Sequence, residues 1–367
     1  MTQNLVYSSD PEKAMAYARE ILPQVSRTFD LAIRFLPGQL GKPVGLAYLL
    51  CRIADTFEDS AILEPTKRQV MLHKYAELLC RPGHYNDKLL GELKSAFADN
   101  YQSANIGKAA ATSSFPDHLP SLNLVENLDL VLAASETMPP EFRKHIFPRV
   151  QEMAVGMAKY TTLPSGEQSQ VNFLEDEADW DNYCYYAAGT VGHMLTDIFS
   201  DYAGFSDSLR AKLHPLGRSF GLGLQKVNVL KDSVIDTSRG VCFLPRTFID
   251  RYGISFGKKA ITELKGDIAG LIFNVADICR RHFEDALEYI KIVPVKHYGL
   301  RMFLIVPVML AAATLRLISE YPHRLTDKGD LKLGRSEVGS LVRKSLVLRF
   351  SNRLLTYSFA RIYPATS

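Results

Sequence analysis

Cysteine is scarce and unpatterned: Cys51, Cys80, Cys184, Cys242 and Cys279 are scattered through 367 residues with no CxxC pair. This argues against a disulfide framework or a thiolate zinc site and fits a reducing, cytoplasmic setting. A charge excess is also missing. The formal net charge is +3 and no basic stripe carries interleaved aromatics, so nucleic-acid binding is not expected. The nine histidines form no HExxH pair, no GxGxxG loop is present, and no hydroxyl sits in a nucleophile–base arrangement. Where a signal peptide would need an apolar run, the N-terminus carries Asp10, Glu12 and Lys13. The apolar segment 302–315 holds 14 residues, interrupted by Pro307 and flanked by Arg301 and Arg316. A membrane span needs about 20, so a buried core helix is the expectation there.

What remains is strongly helical. Hydrophobic residues make up 47% of the chain, enough for a large core. Leu, Ala, Glu and Lys recur at three- and four-residue spacing, with no series of alternating strands. The pattern predicts helices over 10–22, 42–62, 66–80, 122–135, 140–160, 177–203, 207–237, 258–292, 298–320 and 337–361. Loops are expected over 105–120, 163–170 and 236–245. No Gly/Ser linker or short repeat divides the chain, so one all-α domain over 1–367 is the expected architecture.

Two stretches carry chemistry. In Gly45-Leu-Ala-Tyr-Leu-Leu-Cys-Arg-Ile-Ala-Asp-Thr-Phe-Glu-Asp59, the acids Asp55, Glu58 and Asp59 fall at i, i+3 and i+4, with Tyr48 and Arg52 on the same helix face. Like charges so placed repel by a few tenths of a kcal/mol per pair, roughly. A hard divalent cation taking carboxylate oxygens would relieve this. The bland alternative is a solvated acidic patch at a helix end. The second stretch places Gln225, Asn228, Asp232 and Asp236 at spacings of 3, 4 and 4, an all-oxygen face with Leu and Val on the other sides. Two such faces opposed across a cavity could hold Mg²⁺ with positions open for substrate phosphates. The implied substrate is a diphosphate with an apolar body.

These stretches resemble the two aspartate-rich motifs of the squalene/phytoene synthase family. Ser26-Arg-Thr-Phe29, the tyrosine segment Asp179-Trp-Asp-Asn-Tyr-Cys-Tyr-Tyr-Ala-Ala-Gly-Thr-Val-Gly192 and Phe303-Leu-Ile-Val-Pro307 resemble three further family motifs. Together the five ordered motifs run from about residue 20 to 340. Two positions depart from the pattern: Lys231 stands where the family usually has Arg, and Ile235 where it often has Glu. Weaker diphosphate contacts at that helix would follow. The stretch Leu224-Gln-Lys-Val-Asn228 and the tail Lys332-Leu-Gly-Arg-Ser-Glu337 bring the resemblance nearer to the family's squalene-forming branch.

The resemblance implies an isoprenoid-synthase-type helical bundle around a central cavity, acting on farnesyl diphosphate with Mg²⁺ and NADPH. Asp55, Asp59, Asp232 and Asp236 would anchor the metal, supported by Glu58 and Asn228. Arg27, Arg52 and Lys231 would take phosphate oxygens, with Ser26, Tyr48 and Gln225 also on the substrate. Tyr183 would stand near the proton lost as a cyclopropane forms, with Tyr186 the alternative. Phe29 and Phe303, on residue type alone core aromatics, would line the channel. For NADPH, Lys332 and Arg335 are candidates, because the final 37 residues hold seven Lys or Arg and one acid, Glu337. A solvated basic tail or an anionic membrane surface explains the same charge. On one continuous helical wheel the charges of 341–361 do not separate from the apolar residues, so no clean amphipathic anchor is expected. A soluble monomer is expected, one that touches membranes to release its oily product.

Overall fold

The computed structural model describes residues 10–98, 119–162, 171–238, 240–256, 264–325 and 331–363. Its contacts divide the chain into two compact units, Met1–Thr162 with Ser200–Tyr202, and Leu163–Phe199 with Ala203–Ser367. Residues 200–202, assigned to the first unit, lie inside a helix.

The first unit contains α1 (Pro11–Val25), α2 (Arg27–Ile33), α3 (Gly38–Glu58), α4 (Pro65–Leu79), α5 (Asp87–Lys94), α6 (Leu119–Glu126), α7 (Leu128–Glu136) and α8 (Pro140–Ala158). Local chemistry sets several starts. Asp10 caps α1, its side chain accepting from the Glu12 N–H at 2.9 Å, with Pro11 in the first turn. Ser26 ends α1 and caps α2, its Oγ accepting from the Phe29 N–H at 3.2 Å. The hub is α3, on which α1, α2, α4, α6, α7 and α8 all pack. That explains its almost continuous burial from Pro43 onward.

The second unit opens with β1 (Asn172–Leu174) and α9 (Glu177–Cys184), followed by a π-helical turn (Tyr185–Gly189) and α10 (Thr190–Ala203). Next come α11 (Asp207–Ser238), β2 (Val241–Pro245), α12 (Arg246–Arg251), β3 (Ser255–Phe256) and β4 (Leu264–Lys265). It closes with α13 (Ile268–Ile292), α14 (Tyr298–Glu320), a 3₁₀ turn (Pro322–Leu325), α15 (Arg335–Leu348) and α16 (Asn352–Ile362). Here α11 packs on α13, α14, α9, β2 and the π turn, while α15 and α16 lie on α14. Two glycines let α11 approach closely: a Cβ on Gly221 would lie 2.3 Å from the Ala188 carbonyl oxygen, and one on Gly192 would lie 2.0 Å from that of Gly217. The helix α14 is long and apolar enough to cross a membrane by composition, yet 72% of its apolar window is buried in the fold, as befits a core helix.

The all-α expectation holds, with local corrections. Of the helix expected over 258–292, positions 258–263 lie outside the described residues; Leu264–Lys265 instead pair antiparallel with Ser255–Phe256, and the helix begins at Ile268, capped by Asp267. The segment expected to loop over 236–245 instead runs from the end of α11 into β2, which pairs in parallel with β1. The helix over 122–135 breaks at Asn127, and that over 337–361 breaks at 349–351, where Ser351 Oγ caps α16 by accepting from the Leu354 N–H. The short helices α2, α5 and α12 are additional. The loop expected over 163–170, and that over 105–120 up to position 118, lie outside the described residues.

Candidate active site

Between positions 43 and 60 on α3 and its cap, only Tyr48, Arg52, Asp55 and Asp59 escape burial. Their spacing of 4, 3 and 4 traces one stripe along the helix. Packing on every other side leaves that stripe as the helix's one accessible face. Glu58 lies off it, 4% exposed. Arg52 Nη1 stands 3.8 Å from Asp55 Oδ2, and its Nη2 donates to Ser121 Oγ at 3.3 Å. The side chain of Asp55 is 30% exposed. Burial pushes its carboxyl up to about 7; Arg52 pulls it down and Asp59 pushes it further up. Such a carboxylate is only partly ionised near neutrality without additional positive charge.

Phe29 and Tyr48 pack at a ring-centroid distance of 5.3 Å. The Tyr48 hydroxyl, which donates to the Val25 carbonyl at 3.4 Å, is pushed up to about 12 by burial. Ser26, expected on substrate, serves locally as the α2 cap; its hydroxyl hydrogen is still available to donate. Arg27 opens α2, but its side chain lies outside the described residues.

On α11, Gln225 is half-buried, Asn228 is exposed, the Asp232 side chain is 39% exposed and Asp236 is 8% exposed. Lys231 Nζ pairs with Asp232 Oδ2 at 3.0 Å. Thus the cation replacing the family's usual Arg sits against the first acid of its own motif. Nearby in the sequence lies a residue that pattern reading gave no role. Lys226 is fully buried; its Nζ donates to Asp181 Oδ1 at 2.5 Å and lies 3.9 Å from the Trp180 ring centroid. A buried ammonium needs such partners. The contact ties α11 to α9, the helix bearing Tyr183. A lysine inside an otherwise apolar helical stretch was the available signal.

Tyr183, 3% exposed, stacks on Phe243 of β2 at 4.3 Å with 8° between the ring planes. Two residues later the backbone enters the π turn, which carries Tyr185 and Tyr186. Tyr186 is half-buried and meets the Tyr185 ring edge-on at 5.3 Å. Phe303 is buried in α14 against Phe199 at 5.6 Å. Lys332, before α15, and Arg335, its first residue, are both exposed.

The donor chemistry fits magnesium: each face offers carboxylate or amide oxygens, the ligands a hard cation takes. Among the described residues no preformed group of three or more His, Cys, Asp or Glu closes on a single ion position.

Positions 22–337 match the model of the squalene/phytoene synthase family. The chain is similar to the squalene synthase of Saccharomyces cerevisiae, 26% identical over 356 residues, which cover 96% of this chain and 72% of that protein. It is also similar to that of Homo sapiens, 26% identical over 323 residues, 88% of this chain and 67% of that one. Among solved structures, a complex of TcSQS with the ligand E5700 superposes with a TM-score of 0.71 at 23% identity, covering 97% of this chain and 94% of that one. A ligand complex of a dehydrosqualene synthase gives a TM-score of 0.59 at 20% identity, covering 92% and 98%. At these identities the structural likeness establishes the helical isoprenoid-synthase fold.

Proposed function

Because the chain belongs to the squalene/phytoene synthase family and is therefore a prenyl-transferring enzyme, we propose that it joins two farnesyl diphosphates head to head and reduces the product to squalene. The observation that carries this reading is the stripe of Tyr48, Arg52, Asp55 and Asp59 on an otherwise buried helix. A helix so enclosed gains nothing in stability from paired acids there; a cation and a phosphate give them a use.

In this reading Asp55 and Asp59 hold magnesium on α3, without the buried Glu58, and Asn228, Asp232 and Asp236 hold it on α11. Magnesium bound there would supply the Lewis-acid charge that makes diphosphate a better leaving group. Arg27 and Arg52 take phosphate oxygens with a planar fork suited to them. Lys231, a point charge already engaged by Asp232, grips less firmly. In the first stage the C–O bond of one farnesyl diphosphate breaks. The double bond of the second attacks the allylic cation, and proton loss closes the cyclopropane of presqualene diphosphate. Tyr183 attends that proton, its ring orientation fixed by the stack on Phe243. Ser26, Phe29, Tyr48, Gln225 and Phe303 position the chains, with aromatic faces toward the cation. NADPH, when bound, would supply the hydride of the second stage, and the exposed Lys332 and Arg335 are the cations suited to its phosphates.

Product analysis with farnesyl diphosphate and Mg²⁺ tests the reductive part. Squalene with NADPH, and presqualene diphosphate without it, is the expected pair of outcomes. A product mixture indifferent to NADPH would assign the chain to synthases that release an unreduced, hydroxylated or dehydro product.

A further inference from the structure

The two C-terminal helices expose apolar side chains that the proposed chemistry leaves unused. Val347, Phe350, Leu354 and Tyr357 are 59%, 52%, 47% and 61% exposed, and Tyr298 at the start of α14 is 53% exposed. These residues gather around the 349–351 corner between α15 and α16, where the Tyr298 and Phe350 rings lie 6.1 Å apart. Scattered apolar residues on a surface need no explanation, but a group confined to one corner does.

The corner is anchored from below. Arg301 is completely buried, and its guanidinium donates to the backbone oxygens of Ile290, Val293 and Arg349 at 2.6, 2.9 and 2.6 Å, and to Asn352 Oδ1 at 2.7 Å. Asn352 in turn donates to the Lys291 carbonyl at 3.3 Å. One buried cation thus fastens the corner to the C-terminal end of α13. Above it, the Arg349 guanidinium lies over both the Tyr298 and Phe350 rings, at 5.1 and 4.7 Å from their centroids. The exposed rings are therefore held in place.

From position 338 onward the two helices that bear most of them carry one sign of charge. Arg343, Lys344, Arg353 and Arg361 are exposed around them, Arg349 is half-exposed, and positions 338–367 contain no Asp or Glu. Aromatic and aliphatic side chains flanked by cations, with no acid among them, complement a uniformly anionic surface over an apolar interior.

We propose that this corner is a peripheral docking surface for a bilayer containing anionic phospholipid, with Val347, Phe350, Leu354 and Tyr357 entering the interface and the flanking cations meeting headgroup phosphates. The break at 349–351 is why a wheel drawn through 341–361 shows no amphipathic face. Each helix buries its own side, Leu341, Ser345 and Leu348 on α15 and Leu355, Phe359 and Ile362 on α16, and Val347, Phe350, Leu354 and Tyr357 stay exposed along the stretch that spans the corner. This inference stands whether or not the reaction above is the right one.

The test is vesicle flotation of the full chain with neutral phosphatidylcholine vesicles and with vesicles containing about a third phosphatidylglycerol, a fraction high enough to set a negative surface potential. Binding should favour the anionic vesicles at least tenfold and weaken in high salt. Phe350→Ser, Leu354→Ser and Tyr357→Ser combined should lower binding to anionic vesicles at least tenfold. Arg343→Glu, Lys344→Glu and Arg353→Glu combined should remove the preference for them. All six side chains are exposed, so helix content and melting temperature should match the parent. Equal binding by the parent and the Ser variant, or no binding by the parent to either vesicle, would overturn the proposal. A parent that sediments as a dimer which the Ser variant dissolves would overturn it in favour of a second copy as the occupant.

Discussion

Tyr183 and Tyr186 differ in what holds them. The Tyr183 ring is sandwiched flat on Phe243 in a buried site, whereas Tyr186 is half-buried on the π turn with an edge-on neighbour. Removing the Tyr183 hydroxyl leaves that stack intact. Tyr183→Phe should therefore keep the fold, since the buried apolar contacts are unchanged. Cyclopropyl product should fall about a hundredfold or more, the scale of a lost proton-transfer group. Turnover at the parent rate would move the role to Tyr186. The Lys226–Asp181 pair gives an asymmetric prediction. Asp181→Ala strands a buried ammonium and should cost about 3–5 kcal/mol, whereas Lys226→Met fills the space with an apolar chain and leaves only a partly exposed carboxylate. Chemical denaturation of both variants measures the difference; equal losses would mean the pair's charge is not what holds α9 to α11.

At the scale of elements, helical periodicity made the long helices legible, because burial on one side imposes a 3.6-residue pattern. The accessible stripe on α3 was legible for the same reason: Tyr48, Arg52, Asp55 and Asp59 are polar residues at helical spacing in a mostly apolar helix. Glu58 was grouped with them by spacing, yet it is buried, because α3 is enclosed too fully for a residue at that angle to reach the surface. Breaks set by single side chains were not legible in the periodicity: the Ser351 cap and the Asp267 cap interrupt patterns that continue across them, as does the turn at Asn127, which has no side-chain cap. Nor was Lys226, whose partners come from another helix. The small residues of the tyrosine segment suggested close approach or a kink, and both are present, as the π turn and as the contacts at Gly192 and Gly221. Gly192→Ala would drive a methyl into the Gly217 carbonyl and should destabilise by about 1–3 kcal/mol, the usual cost of overpacking. Thermal melting checks this; an unchanged melting temperature would mean the helices separate freely.

For the whole molecule, two titrations act in opposite directions. His282, whose Nδ1 lies 2.8 Å from Ser219 Oγ, is depressed to about 4 by burial, helped by Lys226. The unfolded chain takes up that proton near its ordinary 6.5, so this contribution to stability is complete above 6.5 and is lost as pH falls toward 4. Asp55, raised to about 7, contributes the other way: the folded state favours the neutral acid, and that stability is lost as pH rises through 7. Without metal the two contributions largely offset one another between pH 4 and 6.5, so together they should move the melting temperature little there. Magnesium should raise it mainly on the alkaline side, where Asp55 is charged. A Mg²⁺ effect that is larger at pH 5 than at pH 8 would contradict the assignment.

Fold and function make opposite demands on Asp55. Asparagine supplies the neutral side chain the metal-free fold prefers, so Asp55→Asn should keep or gain stability at pH 8 while losing a carboxylate ligand. The decisive measurement is diphosphate release from farnesyl diphosphate by the parent chain, by Asp55→Asn and by Asp232→Asn, each with saturating Mg²⁺ and with a chelator. Release should require Mg²⁺ in the parent and fall about a hundredfold or more in both variants, the effect of removing several kcal/mol of Lewis-acid stabilisation. Release that continues at the parent rate in both variants, or that is unaffected by the chelator, would contradict a magnesium-assisted ionisation on these two acidic faces.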